Sequence, residues 1–130
     1  MPDTVEAGLV GRRIFVVEDD YLIAACLADQ LEELGAVVSG PAATVSDAIE
    51  LLNREDGVDA AILDVNIRGE KVYPVADKLR ARGVPFVFAT GYDDWVVPEC
   101  YAAVPRIEKP ADIDRLTRAL VRTLADGKGR

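Results

Sequence analysis

Apolar positions fall along this chain in two rhythms, short unbroken runs and longer stretches at helical spacing, and the two alternate from Ile14 to the end. The clearest run is Ala60-Ala61-Ile62-Leu63, which predicts a strand buried on both faces and is followed by the carboxylate of Asp64. Ile14-Phe15-Val16-Val17 has the same form and ends in Glu18-Asp19-Asp20. Pro85-Phe86-Val87-Phe88-Ala89 ends in Thr90. Ala36-Val37-Val38 predicts a short second strand closed by Gly40-Pro41, and Val104 to Ile107 a weak fifth that leads into Glu108-Lys109-Pro110.

The helical rhythm fills the gaps. Ile23, Leu27, Leu31 and Leu34 predict a first helix starting near Asp20 and stopped by Gly35. Val45, Ala48, Ile49 and Leu52 supply the inward face of a second, with Thr44 and Asp47 in a capping arrangement. Past the turn at Asp56-Gly57 and a loop at Gly69, Val72, Val75, Ala76 and Leu79 predict a third, in which Pro74 is tolerable only within the first turn. Between Asp93 and Tyr101 a fourth helix is expected to be short or mobile, because Trp95-Val96-Val97-Pro98 is poor helical material. Ile113, Leu116, Leu120 and Leu124 face inward on the last helix, from about Asp112 to Leu124, while Arg115, Arg118 and Arg122 lie on another face as solvated surface or as a partner contact. Met1 to Gly11 reads as a mobile leader. Strands alternating with helices five times imply a doubly wound parallel α/β sheet, whose ligands bind at the carboxyl ends of the strands. The three polar endings would then meet in one place.

A length of 130 residues fits one domain with a respectable core. The net charge of -8 argues against nucleic acid or an anionic membrane as the main partner and points to another protein. No apolar stretch approaches the ~20 residues needed to span a bilayer, and no signal-peptide core is present, so the expected location is cytoplasmic. Histidine is absent, which removes Ser-His triads, His-ligated zinc and phosphohistidine formed on this chain. Any histidine chemistry must come from a partner. Cys26 and Cys100 form no CxxC motif and read as buried or incidental thiols in a reducing compartment.

Carboxylates gathered at strand ends repel one another unless a cation neutralises them, and a hard divalent ion with oxygen ligands does so best. Glu18, Asp19 and Asp64 together would make a Mg²⁺ site with room left for a phosphoryl group. Lys109 would approach from the fifth strand and Thr90 offer a hydroxyl at the same rim. Phosphoryl transfer asks mainly for positioning and charge stabilisation, so an oxygen of Asp64 is placed to attack phosphorus and form an aspartyl phosphate. Each signal taken singly is weak, since acidic residues after a strand also suit a helix N-terminus. Their joint placement gives the specificity.

The motifs Val17-Glu18-Asp19-Asp20, Leu63-Asp64-Val65-Asn66, Ala89-Thr90-Gly91 and Glu108-Lys109-Pro110 together resemble the receiver domain of two-component response regulators, over nearly the whole chain. The resemblance implies a flavodoxin-like (βα)5 fold with strand order 2-1-3-4-5, occupying residues 12–126 between the leader and a tail at 127–130. It implies Asp64 as phosphoacceptor, Glu18 and Asp19 as the acidic pair at the metal, and the backbone carbonyl of Asn66 as a further Mg²⁺ ligand. Thr90 is then the switch hydroxyl, Lys109 the lysine of the family's pattern, and Lys109-Pro110 a cis bond. The stretch Pro85 to Tyr92 is similar to the single-domain "FATGUY" receivers of alphaproteobacteria. Their partners are typically histidine kinases of the HWE or HisKA2 type, often in general stress signalling. Most receivers carry an aromatic residue three positions before the lysine, where this chain has Arg106; Tyr92, beside Thr90, is the candidate for the moving ring instead.

Three rival classes fit the residues less well. A flavodoxin-like cofactor binder would need a hydroxyl- and glycine-rich loop after the first strand, where Glu18-Asp19-Asp20 would repel a phosphate. An aspartate-nucleophile phosphatase resembles DxDx[TV] after the first strand, whereas the nucleophile here follows the third. A phosphorylation-independent scaffold would not need Asp64, Thr90 and Lys109. No GxGxxG or GxxxxGK[ST] motif supports nucleotide binding. With the chain ending soon after its final helix, the expectation is a stand-alone phosphoacceptor, not an enzyme in its own right, acting as a switch, a relay or a phosphate sink.

Overall fold

A computed structural model describes residues 8–91, 97–108 and 113–128. Parallel strands β1 (Arg13–Val17), β2 (Val37–Ala42), β3 (Ala60–Asp64), β4 (Phe86–Thr90) and β5 (Arg106–Glu108) form a five-stranded sheet in the order β2-β1-β3-β4-β5. Helices α1 (Tyr21–Glu33), α2 (Val45–Arg54), α3 (Tyr73–Ala81) and α4 (Ile113–Lys128) are interleaved with the strands. The predicted flavodoxin-like order is therefore the observed one. After β2 the chain crosses back over β1 to lay down β3, so the winding reverses between β1 and β3. In such a sheet the crevice at that reversal is the binding place.

The three central strands are buried along almost their whole length, which is why they read as continuous apolar runs. Successive residues point to opposite faces. Phe15, Val17, Leu63 and Phe88 pack with α2, α3 and Tyr101, whereas Ile14, Val16, Ile62 and Val87 pack with Leu27 and Leu31 of α1 and Leu116 and Leu120 of α4. The edge strands β2 and β5 mix buried and exposed positions, so their sequence signal is weaker.

Local chemistry sets the helix starts. Asp20 caps α1 by accepting hydrogen bonds from the N–H groups of Leu22 and Ile23, and Thr44 caps α2 by accepting from Asp47 N–H, as the Thr44/Asp47 pair predicts. Pro74 sits in the first turn of α3, where its missing N–H costs nothing.

Several boundaries differ from the predicted ones. The buried stripe of α1 is Ala24, Leu27 and Leu31, and Ile23 is 45% exposed; both Ile23 and Ala24 stand at helical spacing from Leu27, and tertiary packing selects the smaller. Strand β2 does not close at Gly40-Pro41 but continues through it to Ala42, with an irregular pairing opposite Phe15 to Val17. Strand β5 is displaced toward Glu108, and α4 continues to Lys128, into the stretch read as a tail. Leu9, assigned to the leader, is buried with the α1/α4 layer. Around the expected fourth helix, Glu99–Tyr101 forms one 3-10 turn, and residues 92–96 lie outside the described residues. Cys26 and Cys100 are free and exposed, not buried.

Candidate functional site

Strand register assembles the site. Val17 pairs with Leu63, so Glu18, just past β1, and Asp64, the last residue of β3, come next in register at the reversal point. Asp64 is level with Ala89 on β4, one residue before Thr90, and Thr90 is level with Glu108 on β5. One carboxylate oxygen from each of Glu18, Asp19 and Asp64 lies within 4.8 Å of the others. Glu18 and Asp64 are each only 4% exposed, and Thr90 is 3% exposed.

Each carboxylate is held by at least one backbone N–H. Asp20 N–H donates to Glu18 Oε2 at 3.0 Å, Arg68 N–H to Asp19 Oδ2 at 2.8 Å, and Asn66 N–H to Asp64 Oδ1 at 3.3 Å. Three like charges at this spacing repel one another by on the order of 3 kcal/mol per pair at an effective dielectric near 20. Amide bonds orient such groups but do not cancel their charge. The donor set is all carboxylate oxygen, which suits a hard divalent cation. Because Mg²⁺ is usually held through one or two carboxylates, with water and phosphate oxygens completing the shell, these residues fit that ion.

The structure brings Glu18, Asp19, Asp64 and Thr90 to one rim. Asn66 sits at the same place with its N–H on Asp64, and Arg106 opens β5 as an exposed residue. Lys109, the Lys109-Pro110 bond and Tyr92 lie outside the described residues. Apart from the Asn66 carbonyl that the family resemblance offers as a ligand, the sequence gave the segment after β3 only a loop at Gly69. That loop is a two-stranded antiparallel ribbon, Asn66–Ile67 against Glu70–Lys71. Nor did the pattern single out Tyr101, whose buried ring stacks on Tyr73 with centroids 5.6 Å apart and meets Phe88 edge-on at 5.7 Å. Its hydroxyl donates to Asp77 on α3, and the Arg80 guanidinium lies 4.3 Å over its face. Burial, and then the hydrogen bond to Asp77, push the Tyr101 phenol well above its ordinary value.

A doubly wound parallel sheet with three carboxylates at its reversal point, and a buried hydroxyl on the neighbouring strand, defines a class of flavodoxin-like α/β proteins whose strand-end site is acidic. The sequence profile of the response regulator receiver domain matches residues 14–121, and the chain belongs to that family. It is similar to SdrG from Sphingomonas melonis Fr1, solved in solution: 43% identity over 91% of this chain and 98% of SdrG, with a TM-score of 0.77. The BeF3-activated conformation of SdrG from Pseudomonas melonis Fr1 matches at 44% identity over 82% of this chain and 91% of that one, with a TM-score of 0.68. The PhyR stress response regulator is 25% identical with a TM-score of 0.79, and the match covers 97% of this chain but 49% of PhyR. A search of curated proteins found no match. Among the described residues no helix is long and apolar enough to cross a membrane.

Proposed function

We propose that Asp64 accepts a phosphoryl group from a histidine kinase in a Mg²⁺-dependent reaction, and that the protein then signals by contact with another protein. The observation that carries this is the meeting of Glu18, Asp19 and a nearly buried Asp64 within 4.8 Å at the sheet's reversal point. Glu18, Asp19, Asp64 and the carbonyl of Asn66 would hold the ion. When bound, it neutralises charge on the phosphoryl oxygens. The hydrogen bond from Asn66 N–H to Oδ1 steadies the Asp64 carboxylate, one oxygen of which acts as the nucleophile. Its attack forms the Asp64 oxygen–phosphorus bond as the phosphorus–nitrogen bond of a phosphohistidine breaks. The histidine is the partner's, because this chain has none. Lys109 then pairs with the added charge, and the Thr90 hydroxyl follows it, with Tyr92 as the accompanying ring in place of the aromatic that Arg106 displaces.

A partner must dock beside Asp64, and the head of α1 is suited to it: Tyr21 is 83% exposed and Leu22 76%, directly after the acidic run. The similarity to SdrG supports a single-domain receiver of the FATGUY subgroup, and its BeF3-activated conformation supports a second state for this chain as well. The likeness to the PhyR stress response regulator supports a place in stress signalling; the kinase type, HWE or HisKA2, is proposed from the resemblance of Pro85 to Tyr92 to the FATGUY receivers, and a cytoplasmic location goes with that reading. The test is to incubate the protein with a small phosphodonor, with and without Mg²⁺, and weigh it intact. Wild type is expected to gain one phosphoryl mass only with metal, and Asp64→Asn none. An equal gain by Asp64→Asn would refute the assignment.

A further inference from the structure

We propose that the hairpin turn at Arg68-Gly69 is a positioning device for Asp19, with the backbone N–H of Arg68 as the acting group, and that its integrity sets the affinity of the site for Mg²⁺. The inference rests on the metal-site reading above and adds to it a residue that contributes no ligand atom.

Arg68 and Gly69 have φ of 52° and 84°, and Arg68 is the one non-glycine with positive φ among the described residues. Two successive positive φ values between antiparallel partners Ile67 and Glu70 match the type I′ pattern of a two-residue hairpin, whose twist suits flanking strands. Arginine is a poor choice there, since left-handed backbone is costly for a residue with a Cβ. The strain is held by the hairpin's base: Val72 N–H donates to Val65 O at 2.9 Å, and Val65, Ile67 and Val72 are buried in the core. The turn is thus a short finger anchored by apolar side chains. Its tip reaches across the chain to Asp19 Oδ2 at 2.8 Å, the shortest of the three amide contacts to the cluster.

Asp19 is the least buried of the three carboxylates, being only partly covered, and so the one most in need of an external restraint. Fixing one of its oxygens limits rotation of the group and leaves its remaining lone pairs for a cation shared with Glu18 and Asp64. Outer partners of this kind typically change metal affinity by about 10- to 100-fold.

Gly69 offers a clean perturbation. A Cβ built there meets nothing within 4 Å, so a side chain has room and only the backbone angle resists it. Gly69→Val, β-branched and intolerant of φ above zero, should lift the tip from Asp19, whereas Gly69→Asn, which accepts that angle, should leave it in place. Two NMR measurements on the full chain decide the matter. In metal-free protein, Asp19→Ala should move the Arg68 amide proton upfield. In Mg²⁺ titrations, Gly69→Val should bind about 10-fold or more weaker than wild type and Gly69→Asn as wild type. An Arg68 amide indifferent to Asp19→Ala, or a Gly69→Val protein with wild-type Mg²⁺ affinity, overturns the proposal. If Gly69→Val does not fold, the metal-free measurement decides alone. Wild type that binds no Mg²⁺ at all would instead remove the metal-site reading, and this inference with it.

Discussion

At the scale of single residues, the site gathers three like charges whose carboxylates are oriented by backbone amides. Replacing Asp19 by its neutral isostere keeps an acceptor for Arg68 N–H and removes two of the three like-charge pairs. Because Asp19 is partly exposed and solvent screens most of that repulsion, Asp19→Asn is expected to raise the stability of the metal-free protein by about 1 kcal/mol in urea denaturation. Stabilisation by Mg²⁺, about 2.7 kcal/mol at a hundredfold excess over Kd for a wild-type site, should shrink with the lost ligand. A less stable metal-free variant would show that the cluster is not under repulsive strain. Tyr101 makes the opposite case. Its phenol, raised above the ordinary value near 10 by burial and by Asp77, holds its proton more tightly in the folded state than in the unfolded chain. That stability is complete below about pH 10 and drains away as pH rises toward the folded value. Tyr101→Phe should cost about 1 kcal/mol at neutral pH yet lose less between about pH 9 and pH 11 than wild type does, as read by denaturation at each pH. The three carboxylates were legible in the sequence because each follows an apolar run. The Arg68 amide was not, because a main-chain donor carries no residue type, and Tyr101 lay among residues whose helical pattern is broken by Pro98.

At the scale of elements, legibility tracked burial. Strands β1, β3 and β4 are covered on both faces and announced themselves as unbroken apolar runs; β5 is an edge strand of three residues and was placed slightly early. The ribbon after β3 has two residues per strand, too few for any period to register, and its Arg-Gly turn lacks the Asn-Gly or Asp-Gly signature of such hairpins. Helix α1 was found with the right start but with its face rotated, because Ile23 and Ala24 fit the spacing equally well. The consequence is functional: Ile23 joins Tyr21 and Leu22 in an exposed apolar group beside the acidic site. Leu22→Asp is expected to slow phosphoryl transfer from a cognate kinase at least several-fold while leaving phosphorylation by a small donor unchanged, since the substitution lies outside the site. Equal rates from the kinase would place docking elsewhere.

At the scale of the molecule, topology gives the chemistry its location. Alternating strands and helices with right-handed crossovers made a doubly wound parallel sheet legible in the chain, while the strand order came from the resemblance to the receiver family. The reversal of winding between β1 and β3 leaves a crevice, and register puts Glu18 and Asp64 on its two walls. The net charge of -8 makes that crevice a place a cation enters readily and a bare phosphate does not. The proposed chemistry comes down to one atom, the Asp64 carboxylate oxygen as the point of phosphoryl attachment. Borohydride reduction of the phosphorylated protein converts an aspartyl phosphate to homoserine, and peptide mapping then reads the position. Homoserine in place of Asp64, formed only after phosphorylation in Mg²⁺, is the expected result; homoserine in place of Asp19 or Asp20, or none on a protein that has gained a phosphoryl group, would contradict it.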